Sequence, residues 1–221
     1  FDIEVINPNS ILKSYKLDHS KLNQEHVTHF IICEATYNHK GEAKPLNFNI
    51  NDYAKFKNKI TYIVLDKQPK NLRKIEEGDS INEKNSKILD NAVFRENYQR
   101  NYLVTQLNGF SDNDLILIND LDEIPNLENF KYKNKISIFK QKMFYYKLNL
   151  SQPNFIWYGS KICKKKHLES PQWLRNIKSK KYPFWRLDYL FSKKKYRDLG
   201  FVENGGWHFT NIKSIDQIHF K

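Results

Sequence analysis

Three carboxylates stand within four residues in the stretch DLILINDLDEIP, residues 114–125: Asp120, Asp122 and Glu123. They follow an unbroken apolar run, 115–118. Like charges this close repel one another, and each loses hydration beside a core, so a positive partner is required. In an extended segment, residues i and i+2 point to one face. Asp120 and Asp122 can therefore share one hard divalent cation, Mn2+ or Mg2+, which prefers oxygen ligands and keeps positions free for phosphate oxygens. The implied chemistry is metal-assisted handling of a diphosphate. Glu123 points to the other face and is read as a hydrogen-bonding or acceptor-side group. An Asp-x-Asp pair alone is common, and a solvated acidic turn contains the same residues; the apolar run before it favours the cation.

The elements that must position these groups follow from pattern. VTHFIICEAT, 27–36, reads as a strand ending at Glu34, Ala35 and Thr36, and KITYIVLD, 59–66, as a second ending at Asp66. INDYAKFKN between them reads as a short helix, and 67–85 as a mobile polar loop. A long helix is predicted over 86–110, with no proline and with Gly109 as its stop. Phe94, Tyr98 and Tyr102 share one side of it; Arg95 and Gln99 form the next row, and Glu96 and Arg100 the one beyond. Such polar rows need partners: a nucleotide base, a ribose, the Asp pair, or one another in a structural ion-pair network. Residues 135–150 and 155–166 read as antiparallel strands, and FVENGGWHFT, 201–210, as a Gly-Gly turn followed by aromatics. Loose helical spacing runs over 10–23, and a further helix start over 214–221. Strands alternating with helices before residue 125 predict a largely parallel sheet, with ligands beyond its carboxyl edge.

Composition narrows the class. The chain has 221 residues, with 15 Phe, 13 Tyr and 4 Trp, enough for a sizeable core and one α/β domain. No apolar run approaches a bilayer-spanning length. The two cysteines, Cys33 and Cys163, lack metal-ligand spacing and form no disulfide framework, as expected for a reducing cytoplasm. The net charge is +12, and residues 131–200 hold 19 Lys and Arg against 3 Asp and Glu. A field of that kind attracts phosphorylated substrates, anionic headgroups or nucleic acid, although a lysine-rich composition throughout produces part of it.

IICEATYNHKGEAKPLNF, RENYQRNYL, DLILINDLDEIP and GGWHF, in that order, resemble the signatures of glycosyltransferase family 17, the family of the bisecting β-1,4-mannosyl-glycoprotein N-acetylglucosaminyltransferase. The likeness covers residues 27–221, the basic segment 160–200 excepted. It implies an α/β, GT-A-like nucleotide-sugar-binding domain with a mixed central sheet, divided into a nucleotide-binding half, 27–130, and a basic acceptor-side half, 131–221. It also implies inverting transfer of a sugar, N-acetylglucosamine in the relatives, from a UDP donor with Mn2+ or Mg2+ to a glycan or lipid-linked glycan. Asp120 and Asp122 would then hold the metal, with His208 as third ligand or diphosphate contact, and Gly205 and Gly206 would let backbone approach the phosphates. Glu34, Ala35, Thr36, Asp66, Arg95, Glu96, Gln99 and Arg100 would surround the nucleotide, and Lys44 would balance phosphate charge. The mechanism is one displacement in which a carboxylate takes the acceptor proton; Glu203, Asp188 and Glu123 are the candidates. Trp185, Trp207 and Tyr158 are candidate sugar-stacking rings.

Two other classes fit less well. KKYPFWRLDYLFSKKKYR has the basic and aromatic character of a single-strand groove, but no nucleic-acid motif is present and the acidic first half repels a phosphate backbone. A haloacid dehalogenase motif needs Thr or Val two residues after the second Asp, where Ile124 stands. A cytoplasmic enzyme, peripheral at the inner face of an anionic membrane and acting in surface-glycan synthesis, is the location expected from the charge.

Overall fold

The computed structural model describes residues 2–6, 26–183 and 185–212; the helical segments predicted over 10–23 and 214–221 lie outside them. The strands are β1 (Asp2–Ile6), β2 (His29–Ala35), β3 (Ile60–Leu65), β4 (Leu115–Asn119), β5 (Glu123–Pro125), β6 (Ile136–Tyr145), β7 (Ser151–Lys164), β8 (Leu199–Val202) and β9 (Gly206–Thr210). Two α-helices accompany them among the described residues, α1 (Ile81–Tyr102) and α2 (Pro171–Asn176), with a 3-10 helix over Ile50–Lys59. All nine strands form one mixed sheet, in the order β3-β2-β1-β4-β7-β6-β9-β5, with β8 also on β6.

The largely parallel sheet predicted before residue 125 is not what forms. β2 and β3 are parallel, but β1 lies between β2 and β4 and is antiparallel to both. β2, β3 and β4 nevertheless run in one direction, so their carboxyl ends share an edge. β6 and β7 are the expected antiparallel pair, and β6 also takes β8 and β9 in parallel.

The apolar run of β4 is continuous because both faces are covered. Ile116 and Ile118 join the core shared with α1 and α2, which includes Leu103, Trp173 and Leu174. Leu115 and Leu117 join Leu127, Phe130, Phe139 and Ile162 in a second core.

α1 begins at Ile81 rather than at 86. Ser80 accepts from the Glu83 amide, while the Glu83 carboxylate accepts from the Ser80 amide, a capping box readable in the spacing S-x-x-E. The preceding loop is tied down: the Arg73 amide donates to Asn91 Oδ1 (2.7 Å), and Asn91 Nδ2 donates to the Arg73 carbonyl (2.9 Å).

Candidate active site

At the carboxyl end of β4 the three carboxylates meet two arginines. Arg100, near the end of α1 and 3 % exposed, donates to Asp120 Oδ1 (3.1 Å) and to Glu96 (2.8 Å). Arg175, in the last turn of α2, donates to Asp120 Oδ2 (2.7 Å) and holds Glu123 with both terminal nitrogens, each at 2.9 Å. The Glu123 side chain is fully buried and also accepts from the Trp157 indole N–H (2.8 Å). A planar guanidinium suits such two-point capture of a carboxylate. Burial works against the Arg175 charge, but Glu123 and then Asp120 outweigh it and raise its pKa.

Local sequence explains how Arg175 reaches this place. Ser170 caps α2 by accepting from the Trp173 amide, and Pro171 opens the helix. Arg100 donates to Gln172 Oε1, and the Gln172 amide donates to Asn101 Oδ1 (2.9 Å), so α2 is latched to α1. Buried Lys161, on β7, donates to the carbonyls of Arg175 (2.6 Å) and Ile177 (2.7 Å). Burial first, and Arg175 second, lower the Lys161 pKa to about 7. Gly159 allows the packing: a Cβ there would stand 2.6 Å from Glu123 Oε1.

Asp122 faces the other way. Its side chain is 46 % exposed, and His208 Nδ1 lies 3.6 Å from its Oδ1. Burial, opposed by His208 and reinforced by Asp120, raises its pKa. The His208 ring stacks on Trp157 at 4.5 Å and 13°, and its Nε2 is 2.7 Å from Thr210 Oγ1. Nδ1 is buried without a hydrogen-bond partner. The tautomer decides whether Nδ1 faces Asp122 as an N–H donor or as a lone pair able to ligate. The predicted set of Asp120, Asp122 and His208 is not assembled, and no group of three His, Cys, Asp or Glu side chains among the described residues could hold a metal. The reason is that both oxygens of Asp120 face arginines. Asp122 and His208 fit a cation that draws its remaining ligands from phosphate and water.

Beside this cluster opens a cavity of about 640 Å³, within the range of small-molecule sites. Its wall includes Glu34, Lys44, Arg95, Glu96 and Gln99, five of the residues read from the sequence as surrounding a nucleotide, together with Phe48, Tyr53 and Leu121, the residue before Asp122. Phe48 and Tyr53 stack at 5.2 Å and 10°, and Tyr53 is 47 % exposed. Glu34 builds this wall: it accepts from Lys44 (2.7 Å), the amides of Asn47 and Phe48 (2.9 and 3.0 Å) and the Tyr62 hydroxyl (2.9 Å). Burial would raise the Glu34 pKa, but those donors, Lys44 foremost, hold it at about 2. Arg95 donates to Gln68 and the His39 carbonyl, and Gln99 to the Cys33 carbonyl. The polar rows of α1 thus find their partners within the chain.

Other predicted residues lie elsewhere. Ala35 is in the core, the Thr36 amide bonds Leu65, and Asp66 is exposed outside the cavity wall. Gly206 has φ +117 and pairs with Pro125; a Cβ would stand 2.0 Å from the Ile124 carbonyl oxygen. Its small size serves the chain's own strand contact, not the approach to phosphate predicted for Gly205 and Gly206. Of the predicted bases, Glu123 is clamped. Asp188 is held by Arg186 and Lys195, which place its pKa far below the ordinary value and make it a weak base. Glu203 is 69 % exposed, with Lys140 at 2.5 Å, and lines a second cavity of about 390 Å³. Sequence reading missed Trp157, Lys161, Gln172 and Arg175, because each acts across more than ten residues.

The fold is a mixed α/β domain with a cavity and a cluster of carboxylates at one edge of its sheet. Residues 9–209 match glycosyltransferase family 17. The chain belongs to that family and is a transferase, acting between a sugar donor and an acceptor. The match extends closer to the N-terminus than the motifs and spans the basic segment that they do not cover. Comparison with curated proteins and with solved structures gives no match. Among the described residues, no helix is long and apolar enough to cross a membrane.

Proposed function

We propose that the protein transfers a sugar from a UDP donor, N-acetylglucosamine in the first instance, to a glycan or lipid-linked glycan, with inversion. The observation that carries this reading is the cavity beside β2 and α1, whose wall ends at Leu121 next to half-exposed Asp122. Tyr53, exposed and stacked on Phe48, offers a surface for a base, and Lys44, paired with Glu34, stands in the same wall. The shared direction of β2, β3 and β4, with the cavity at their carboxyl edge, supports a GT-A-like nucleotide half over 27–130 and an acceptor half over 131–221.

Asp122 and His208 would hold Mn2+ or Mg2+, which when bound supplies positive charge to the departing diphosphate. The protein's own residues do the rest. Arg100 and Arg175 fix the chain at residues 120–123 so that Asp122 alone is presented. Trp157 and Thr210 fix the His208 ring. Glu203, on the turn before β9, is the candidate base for the acceptor hydroxyl.

Nucleotide release from a panel of UDP-, GDP-, dTDP- and CMP-sugars, with an oligosaccharide mixture as acceptor, tests the reading. Wild type is expected to release UDP with one donor above all. Tyr53→Ala should raise the donor KM, and Glu203→Gln should lower kcat with the donor KM unchanged. Turnover that prefers a non-uridine donor would overturn the donor assignment.

A further inference from the structure

The two ends of the segment between Lys178 and Lys194 lie together. The Lys178 amide donates to the Lys194 carbonyl (2.8 Å), and the Trp173 indole N–H to the Lys193 carbonyl (2.9 Å), closing a neck. Above the neck, Asp188 binds Arg186 and Lys195, each at 2.6 Å. Tyr182, 8 % exposed, packs beneath those two cations, 5.5 and 5.7 Å from its ring. This internal network consumes the one acid of residues 178–197.

Beyond it, Trp185, Leu187, Leu190 and Phe191 are 68, 64, 61 and 90 % exposed, and none belongs to either core. Lys180, Lys181, Lys193 and Lys194, close to them in sequence, are exposed; the Lys181 ammonium lies 5.7 Å from the Phe201 ring, and among the described residues no carboxylate forms an ion pair with these four. Exposed apolar groups rimmed by charge of one sign mark an interaction surface. Rings and aliphatic side chains with lysines beside them match an anionic bilayer surface: the apolar groups enter the acyl boundary while the ammonium groups meet headgroup phosphates. A single nucleic-acid strand would use the rings and cations but gain little from Leu187 and Leu190.

We infer that the 178–194 loop docks the protein onto an anionic membrane surface, with Trp185, Leu187, Leu190 and Phe191 inserted and the four lysines against phosphate. Vesicle binding is independent of nucleotide binding, so this inference and the transferase reading fail separately.

The test is co-sedimentation of the whole chain with phosphatidylglycerol–phosphatidylcholine vesicles, with phosphatidylcholine vesicles and with a single-stranded oligonucleotide. Binding to the anionic vesicles is expected, with Trp emission shifting to the blue, and it should disappear in about 1 M salt, where screening is nearly complete. Lys193→Ala with Lys194→Ala should lower the partition coefficient about 30-fold, and Leu190→Ser with Phe191→Ser at least about tenfold. Trp185→Phe should abolish the blue shift and keep the binding. Equal binding to neutral vesicles, no binding at low salt, a blue shift that survives in Trp185→Phe, or preference for the oligonucleotide would each overturn the inference.

Discussion

Arg175 grips Glu123 through two hydrogen bonds of 2.9 Å, although 52 residues separate them in the chain. This contact explains why a buried strand ends in three carboxylates. Two of them, Asp120 and Glu123, belong to an internal lattice with Arg175 and Arg100, and the third, Asp122, is left facing solvent and His208. Removing Arg175 leaves Glu123 buried without its cation. Arg175→Met is expected to cost about 3–5 kcal/mol, measured by urea denaturation. Combining it with Glu123→Leu should recover part of the loss, because the unpaired charge is then gone. A loss below about 1 kcal/mol for the single variant would show that the fork does not hold α2.

Much of this was legible beforehand, and what was not has a physical cause. β2, β3, β4 and the β6–β7 pair follow from local apolar pattern, and strand ends and helix rows single out Glu34, Arg95, Glu96 and Gln99, which the fold brings to one cavity wall. The place of β1 did not follow, because insertion between β2 and β4 is a tertiary event that periodicity does not encode. Arg175 did not follow either: in a segment with 19 basic residues among 131–200, nothing local separates the one that reaches Glu123 from the others. The capping box at Ser80 was readable and would have placed the start of α1 correctly.

Glu34 should make the protein acid-sensitive. Its carboxyl, ordinarily near 4.5, is held at about 2 in the folded chain. Between those values the unfolded chain binds a proton that the folded chain refuses. The stabilisation is therefore present above about pH 4.5 and is lost as pH falls toward 2. Melting temperature against pH for wild type and Glu34→Gln is expected to show a gap at neutral pH that closes in acid; a gap independent of pH would count against it.

Lys161 should act in the opposite range. Its ordinary value of 10.5 is lowered to about 7, so the unfolded chain binds more protons between those limits, and stability rises with pH across them. A neutral amine still has two hydrogens for its two acceptors, the Arg175 and Ile177 carbonyls. The stability difference between wild type and Lys161→Met should therefore grow from pH 7 to pH 10, measured by denaturant titration. A flat difference would show that Lys161 stays charged.

Gly206 joins β9 to β5 and so sets His208 against Glu123. Gly206→Ala places a methyl against the Ile124 carbonyl at a positive φ and is expected to cost about 3 kcal/mol or more. Gly78→Ala, which meets nothing within 4 Å, should be nearly neutral. Equal melting temperatures for the two variants would contradict the role given to the β5–β9 contact.

The most direct measurement is calorimetric titration of UDP-N-acetylglucosamine into wild type and Asp122→Asn, first with Mn2+ and then with EDTA. Binding to wild type that requires the metal, and that weakens at least about tenfold in Asp122→Asn at unchanged melting temperature, is expected if Asp122 is the carboxylate reserved for the donor's cation. Equal binding by the two proteins, or binding indifferent to EDTA, would contradict it.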